Sequence, residues 1–101
     1  MSMVIGILQV ELIVGDSGSL KDKRRVVLSL KDRIHRAHNA AVAEVGHLDS
    51  RQAVRLGIAV VSNSGRHAGE MLDTILGQLR VDSRFVLADH QREILSGSGG
   101  D

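Results

Sequence analysis

The spacing of the hydrophobic residues changes from one segment of the chain to the next. The order of these changes constrains the fold more than any other feature of the sequence. Residues 3–14 alternate apolar and polar side chains, which is typical of a half-buried strand. Short stretches rich in valine and alanine at residues 40–45 and 54–61 predict two further strands. Residues 20–38 and 66–79 instead repeat their apolar positions every three to four residues, as amphipathic helices do.

The last segment with a clear pattern, residues 85–95, predicts a fourth strand whose many charges suit the edge of a sheet. The predicted order is therefore strand, helix, strand, strand, helix, strand, which is the ferredoxin-like or split βαβ arrangement. We expect an α+β fold in which both helices cover one face of a four-stranded antiparallel sheet. Residues 1–95 form this single domain, and the Ser- and Gly-rich residues 96–101 are expected to be a flexible tail.

The first predicted helix carries an unusual concentration of positive charge. Residues 19–36 contain seven Lys or Arg and two Asp, so this segment carries +5 while the rest of the chain carries −4. Such asymmetry indicates a face suited to a polyanion, although a solvated helix surface kept soluble by its charge has the same composition. The residues that we predict to bind nucleic acid are Lys21, Lys23, Arg24, Arg25, Lys31 and Arg36.

Lys23 differs from the other cations because the helical period places it among the apolar residues of the first turn. A lysine in that position needs an acceptor, and Asp16 and Asp49 are the expected salt-bridge partners, with backbone carbonyls as the other structural option. A contact with a bound anion is the alternative role. Ser19 is the predicted N-cap of this helix and Asn39 its predicted end.

The sheet face away from the helices is expected to be open and partly apolar. If the even-numbered side of the first strand packs on the helices, its odd-numbered side faces outward with one side of the third strand. Such a face is commonly covered, and we predict a homodimer or another protein partner there; a tolerated apolar surface is the alternative. Glu11 should reach solvent or pair with Arg55, and Glu44 should reach solvent. The predicted partner interface consists of Ile5, Ile7, Gln9, Ala59 and Val61.

The sequence offers little support for catalytic or cofactor chemistry. The chain has no Cys, and His35 with His38 could share a metal ion but lack a carboxylate of matching phase. Phe85 is the one aromatic residue, which argues against recognition of single-stranded RNA by stacking. We predict no catalytic residue, no cofactor and no metal site. We also predict a cytoplasmic, non-enzymatic protein without a signal peptide or membrane span.

Four segments of the sequence resemble one known family. They are residues 19–26 (SLKDKRRV), 29–31 (SLK), 42–45 (VAEV) and 56–63 (LGIAVVSN). Together they are similar to the YlxP-like proteins, the domain-of-unknown-function 503 family, and the similarity extends over most of the chain. The resemblance implies a small bacterial protein of ferredoxin-like fold and unestablished activity, encoded among genes for translation initiation and ribosome maturation. It carries over no catalytic residue.

The resemblance and the basic helix lead to two hypotheses about function. The first is a protein that binds structured RNA or a ribosomal particle through its first helix, in translation or ribosome maturation. The second is a homo-oligomeric protein-interaction or small-ligand-binding module that uses the open sheet face. RNA binding that weakens steeply with salt would favour the first hypothesis over the second.

Overall fold

The computed structural model describes residues 2–15 and 18–98, and its secondary structure follows the predicted order. The four strands form one antiparallel sheet, in which the order across the sheet is the second, third, first and fourth strand along the chain. Both helices pack on the same face of this sheet, so the predicted ferredoxin-like α+β fold is confirmed. The elements are β1 (Ser2–Val14), α1 (Leu20–His38), β2 (Ala41–Gly46), β3 (Ala53–Ser62), α2 (Gly65–Val81) and β4 (Phe85–Ser98).

The hydrophobic core lies between the sheet and the two helices. The even-numbered side chains of β1 from Leu8 to Val14 are buried, while its odd-numbered side chains keep some exposure. α1 buries Val27, Leu30 and Ile34 on the same side of the sheet. Each such aliphatic side chain contributes roughly 1.5–3 kcal/mol when it leaves water completely. The period of two in β1 and the period of 3.6 in α1 therefore meet in one core.

Capping residues fix the ends of both helices. The Ser19 hydroxyl accepts a hydrogen bond from the Asp22 backbone N–H at 3.2 Å, which satisfies one of the free donors of the first turn. Asn39 ends α1 in the left-handed conformation with φ 50°, which Asn adopts more easily than most residues. The Ser64 hydroxyl caps α2 by accepting from the His67 N–H at 3.2 Å. The predicted caps of α1 are thus the observed ones.

Gly6 of β1 allows α2 to approach the sheet closely. A Cβ atom at this position would lie 2.9 Å from Val60 Cγ2 and 3.2 Å from Leu72 Cδ1. Both neighbours are buried side chains of the core, so neither can move aside without disturbing its own packing. The missing side chain of Gly6 is therefore part of the contact between α2 and the sheet.

β4 is an edge strand, as its charges indicated, but it is longer than predicted. The expected flexible tail was to begin at residue 96, whereas Ser96, Gly97 and Ser98 pair with the first residues of β1. The backbone groups at the start of β1 would otherwise lack partners on that side, and small polar residues can pair as well as larger ones. Residues 99–101, the rest of the predicted tail, lie outside the described residues.

Candidate nucleic-acid interface

The exposed surface of α1 carries most of the predicted cations. Lys21, Arg24 and Arg25 are exposed, and Lys31 is half-buried. None of these four forms an ion pair with any residue in the parts of the chain described here. Arg36 is also exposed, but its Nε lies 3.1 Å from Asp32 Oδ1. We call the surface formed by Lys21, Arg24, Arg25, Lys31 and Arg36 the basic face.

The basic face points away from the sheet because of the helical period. The buried side of α1 contains Lys23, Val27, Leu30 and Ile34, and the cations occupy the other positions of the wheel. At a rise of about 1.5 Å per residue, the ten steps from position 21 to position 31 span about 15 Å. The basic face is therefore a stripe long enough to contact several phosphates of one nucleic-acid helix.

Lys23 does not belong to the basic face, and the prediction that it binds nucleic acid is wrong. Its side chain is fully buried, and its Nζ donates hydrogen bonds to the carbonyl oxygens of His47 at 2.7 Å and Ser50 at 2.8 Å. The same ammonium lies 3.1 Å from Glu44 Oε2. Desolvation makes an unpaired buried ammonium very costly, and these three acceptors offset that cost for Lys23. The structural role foreseen for Lys23 is the observed one, with a different carboxylate.

The contacts of Lys23 tie the start of α1 to the loop that follows β2. His47 has φ 58°, and its carbonyl also accepts the N–H of Ser50 at 3.0 Å, which closes a turn. The Ser50 hydroxyl accepts the N–H of Ala53 at 2.9 Å, where β3 begins. Lys23 thus positions α1, and with it the basic face, relative to the sheet.

Arg33 provides a second attachment of α1, through Asp82. Arg33 Nη2 lies 2.7 Å from Asp82 Oδ2, and Arg84 Nη2 lies 2.8 Å from the same oxygen. The side-chain hydrogen bonds from Arg84, helped by its backbone N–H and by Arg33, hold the pKa of Asp82 well below its usual range. The same pairing raises the pKa of Arg84. Arg33 is therefore a structural cation that joins α1 to the segment between α2 and β4.

The predicted partner interface lies on the sheet face away from the helices, which we call the open face. Ile5, Ile7 and Ala59 are half-buried, and Gln9 is exposed. Val61 keeps 63% of its surface exposed. These five residues therefore share one side of β1 and β3, as predicted.

The side chains on the open face differ in size from one half of the face to the other. Its β2 and β3 strands carry mostly small residues, whereas β1 and β4 carry larger ones in the same cross-strand rows. A depression of about 500 Å³ lies over the small residues, with Gly57 at its floor and Val45 and Ile7 among its walls. At one end, Glu11 pairs with Arg55 across the strands, as expected, and lies 3.0 Å from His47 Nε2. This pairing neutralises charge on the face itself.

Two features of the site escaped the sequence pattern. Glu44 was expected to reach solvent, but it lies on the helix side of β2 with 16% of its side chain exposed. Glu44 pairs with Leu56 of β3, which is fully buried in the core, so ordinary strand alternation places it on the helix side, before the register shift that follows it. The division of the open face into small and large residues also could not be predicted, because these residues become neighbours only through the register of the strands. Asp16, the other proposed partner of Lys23, lies outside the described residues.

The described residues offer neither a cluster of metal ligands nor a candidate membrane-spanning helix. No group of three or more His, Cys, Asp or Glu side chains there is arranged to hold a metal ion. No helix in that part of the chain is both long and apolar enough to cross a membrane.

The fold and the two surfaces define a small ferredoxin-like protein with a basic helix and an open sheet face. Residues 5–92 match the model of a family described as "Protein of unknown function (DUF503)". A match over most of the chain shows the family, and the chain belongs to it. The resemblance noted from the sequence is thereby confirmed.

An individual relative agrees with this assignment. The chain is 36% identical over 73 residues to the "Uncharacterized protein YlxP" of Bacillus subtilis (strain 168), covering 72% of this chain and 79% of that relative. Among solved structures, it is similar to a de novo designed protein with a ferredoxin fold, at 17% sequence identity and a TM-score of 0.43. That similarity covers 96% of this chain and 89% of the designed one.

Proposed function

We propose that this protein is a non-enzymatic, cytoplasmic RNA-binding protein that docks on structured RNA or a ribosomal particle, in translation or ribosome maturation. The observation that supports the proposal is the basic face. Lys21, Arg24, Arg25 and Lys31 have no ion-pair partner among the described residues, so their charges are available to phosphates. Each phosphate contact made by such a cation releases a condensed counterion, which favours binding.

The proposed mode of binding reads shape and phosphates rather than bases. Phe85, the aromatic residue of the chain, is buried in the core and offers no ring for stacking. The cations stand on one helix that is attached at two points along its length, through Lys23 and through Arg33. A rigid stripe of cations suits the regular phosphates of a double-stranded RNA segment.

The proposal is tested by a mobility shift on ribosomal RNA and on ribosomal subunits at a series of salt concentrations. The variant Arg24→Gln/Arg25→Gln is expected to bind more weakly. The slope of log K against log[salt] should become less negative by about 2, because each lost phosphate contact removes about 0.9 from its magnitude. The control is Arg66→Gln/Arg80→Gln, which removes two exposed arginines from α2. Equal losses in both variants, or no binding by the wild type at low salt, would overturn the proposal.

A second candidate function is homodimerisation through the open face. Several large apolar side chains on this face keep two fifths or more of their surface in water, among them Met3 at 52% and Val61 at 63%. Covering such side chains is favourable at about 25 cal/mol per Å². Sedimentation should find a dimer that Val61→Asp dissociates and that Val81→Asp on α2 leaves intact. A wild-type monomer at all concentrations would leave the depression over Gly57 as a small-ligand site at most.

A further inference from the structure

Two neighbouring cross-strand rows divide the middle of the open face into a half of small residues and a half of large residues. One row runs across the sheet as Ala41, Ala59, Ile7 and Glu93. The next row runs as Ala43, Gly57, Gln9 and Gln91, and a third as Gly46, Arg55, Glu11 and Asp89. In the first two rows the small residues belong to β2 and β3, and the large ones belong to β1 and β4.

We infer that the open face binds a second copy of this chain about a twofold axis that runs parallel to the strands, between β3 and β1. This inference rests on the dimer proposed above and fixes its geometry. Such an axis lays β3 of one copy over β1 of the other, and β2 over β4. Ala59 then faces Ile7 of the second copy, and Ala41 faces Glu93. Each copy places its large half in the hollow of the other, which is the self-complementarity that an isologous interface needs.

The charges of the third row also fit this axis. Arg55 would lie opposite Glu11 of the second copy, so each of these groups keeps its partner within the chain and gains one across the interface. Gly46 would lie opposite Asp89, so no carboxylate faces another in that row. An axis perpendicular to the strands would instead place Glu93 near Glu93 when it passes through the first row, and like charges there are unfavourable.

The area of the face is sufficient for a stable dimer. Ten steps of about 3.4 Å along β1 and four strands at about 4.8 Å each give a face of roughly 34 by 19 Å, or about 650 Å². A standard protein–protein interface covers about 800 Å² on each partner, and pleated side chains add area to the flat estimate. The helices lie on the other side of the sheet, so the basic face stays uncovered in this dimer.

Crosslinking through introduced cysteines tests the axis, because the chain has no cysteine of its own. Ala41→Cys and Glu93→Cys change exposed positions at the two edges of the first row. Packed sheets lie about 10 Å apart, so position 41 and position 93 of two copies would be about 10 Å apart, whereas two copies of position 41 would be about 17 Å apart. The probe is a bismaleimide with a spacer of about 10 Å, applied to each variant alone and to a mixture in which one variant carries a mobility tag.

The expected result is a crosslinked product that joins a tagged and an untagged chain in the mixture, with several-fold less product from either variant alone. Efficient crosslinking of Ala41→Cys to itself would overturn the parallel axis in favour of a perpendicular one. Sedimentation of the same samples separates the two levels of the inference. A dimer without the mixed crosslink contradicts the geometry alone, whereas a monomer contradicts the dimer itself.

Discussion

The basic face of α1 and the open face of the sheet lie on opposite sides of the protein. They also differ in how far apart in the sequence their residues lie. The basic face is local, since all of its cations lie within residues 21–36. The open face is assembled from four strands that are distant in sequence. Charge acts over a Debye length of about 8–10 Å and tolerates small errors of position, whereas packing of side chains does not. A charged surface can therefore be predicted from composition, while a packed one requires the register.

The largest effect is expected at Lys23, which joins α1 to β2 and to the loop that follows it. Lys23→Met should lower the free energy of unfolding by roughly 3–5 kcal/mol, because it leaves the buried carboxylate of Glu44 and two carbonyls without their cation. Urea denaturation measures the change. Lys21→Met, on the exposed side of the same turn, is the control and should stay within about 0.5 kcal/mol of wild type. A loss below about 1 kcal/mol at Lys23 would contradict its anchoring role.

The next-largest effect is expected at Val61, and it tests whether the open face and the basic face act independently. Val61→Asp should weaken dimerisation by about 2 kcal/mol or more, roughly 30-fold, because it places a carboxylate in an apolar contact. Its affinity for a short RNA duplex and the salt dependence of that affinity should not change, since Val61 and α1 lie on opposite faces of the sheet. Sedimentation and RNA titration of one sample check both statements. Parallel losses of dimer and RNA binding would mean that the surfaces are coupled.

Asp82 should stabilise the orientation of α1 in a pH-dependent way. Asp82→Asn is expected to cost about 1–2 kcal/mol, between the values for exposed and buried charged hydrogen bonds. The folded protein holds the pKa of Asp82 below its usual value, so the unfolded chain takes up the proton first. The stability difference between wild type and variant should be constant near neutral pH. It should shrink as the pH falls below about 4, the pKa of an unperturbed Asp.

The smallest effect is expected at Arg36. Its exposed pair with Asp32 at helical spacing contributes only about 0.3–0.5 kcal/mol, so Arg36→Gln should scarcely change the unfolding curve. Because the pair already neutralises part of its charge, the same variant should reduce RNA affinity less than Arg24→Gln does. Parallel salt titrations of the two variants rank them. A larger loss at Arg36 would place the centre of the RNA contact at the end of α1.

The helices were predictable because several local signals agree on them. Ser19, Asn39 and the apolar stripe between them mark the same boundaries for α1, and the structure has those boundaries. The end of β4 was not predictable because Ser96 and Gly97 have the composition of a tail, while their pairing depends on how far β1 extends. Local signals therefore mark the ends of α1 better than the end of β4.

The candidate site follows the same division. The exposure of Arg24 and Arg25 follows from the helical period alone. The partner of Lys23 does not, because Glu44 and Lys23 become neighbours only when α1 packs on the sheet beside β2. The small and large halves of the open face are equally invisible in sequence, since their residues become neighbours only when four strands pair.

The most direct test of the division between the two faces is an RNA-binding titration across salt concentrations with ribosomal RNA and ribosomal subunits. Wild type, Arg24→Gln/Arg25→Gln and Val61→Asp are compared on the same preparations. We predict steeply salt-dependent binding by wild type. The slope of log K against log[salt] should be less negative by about 2 for the arginine variant and unchanged for Val61→Asp. Absence of wild-type binding at low salt, or equal behaviour of the arginine variant and wild type, would contradict the assignment of RNA binding to α1.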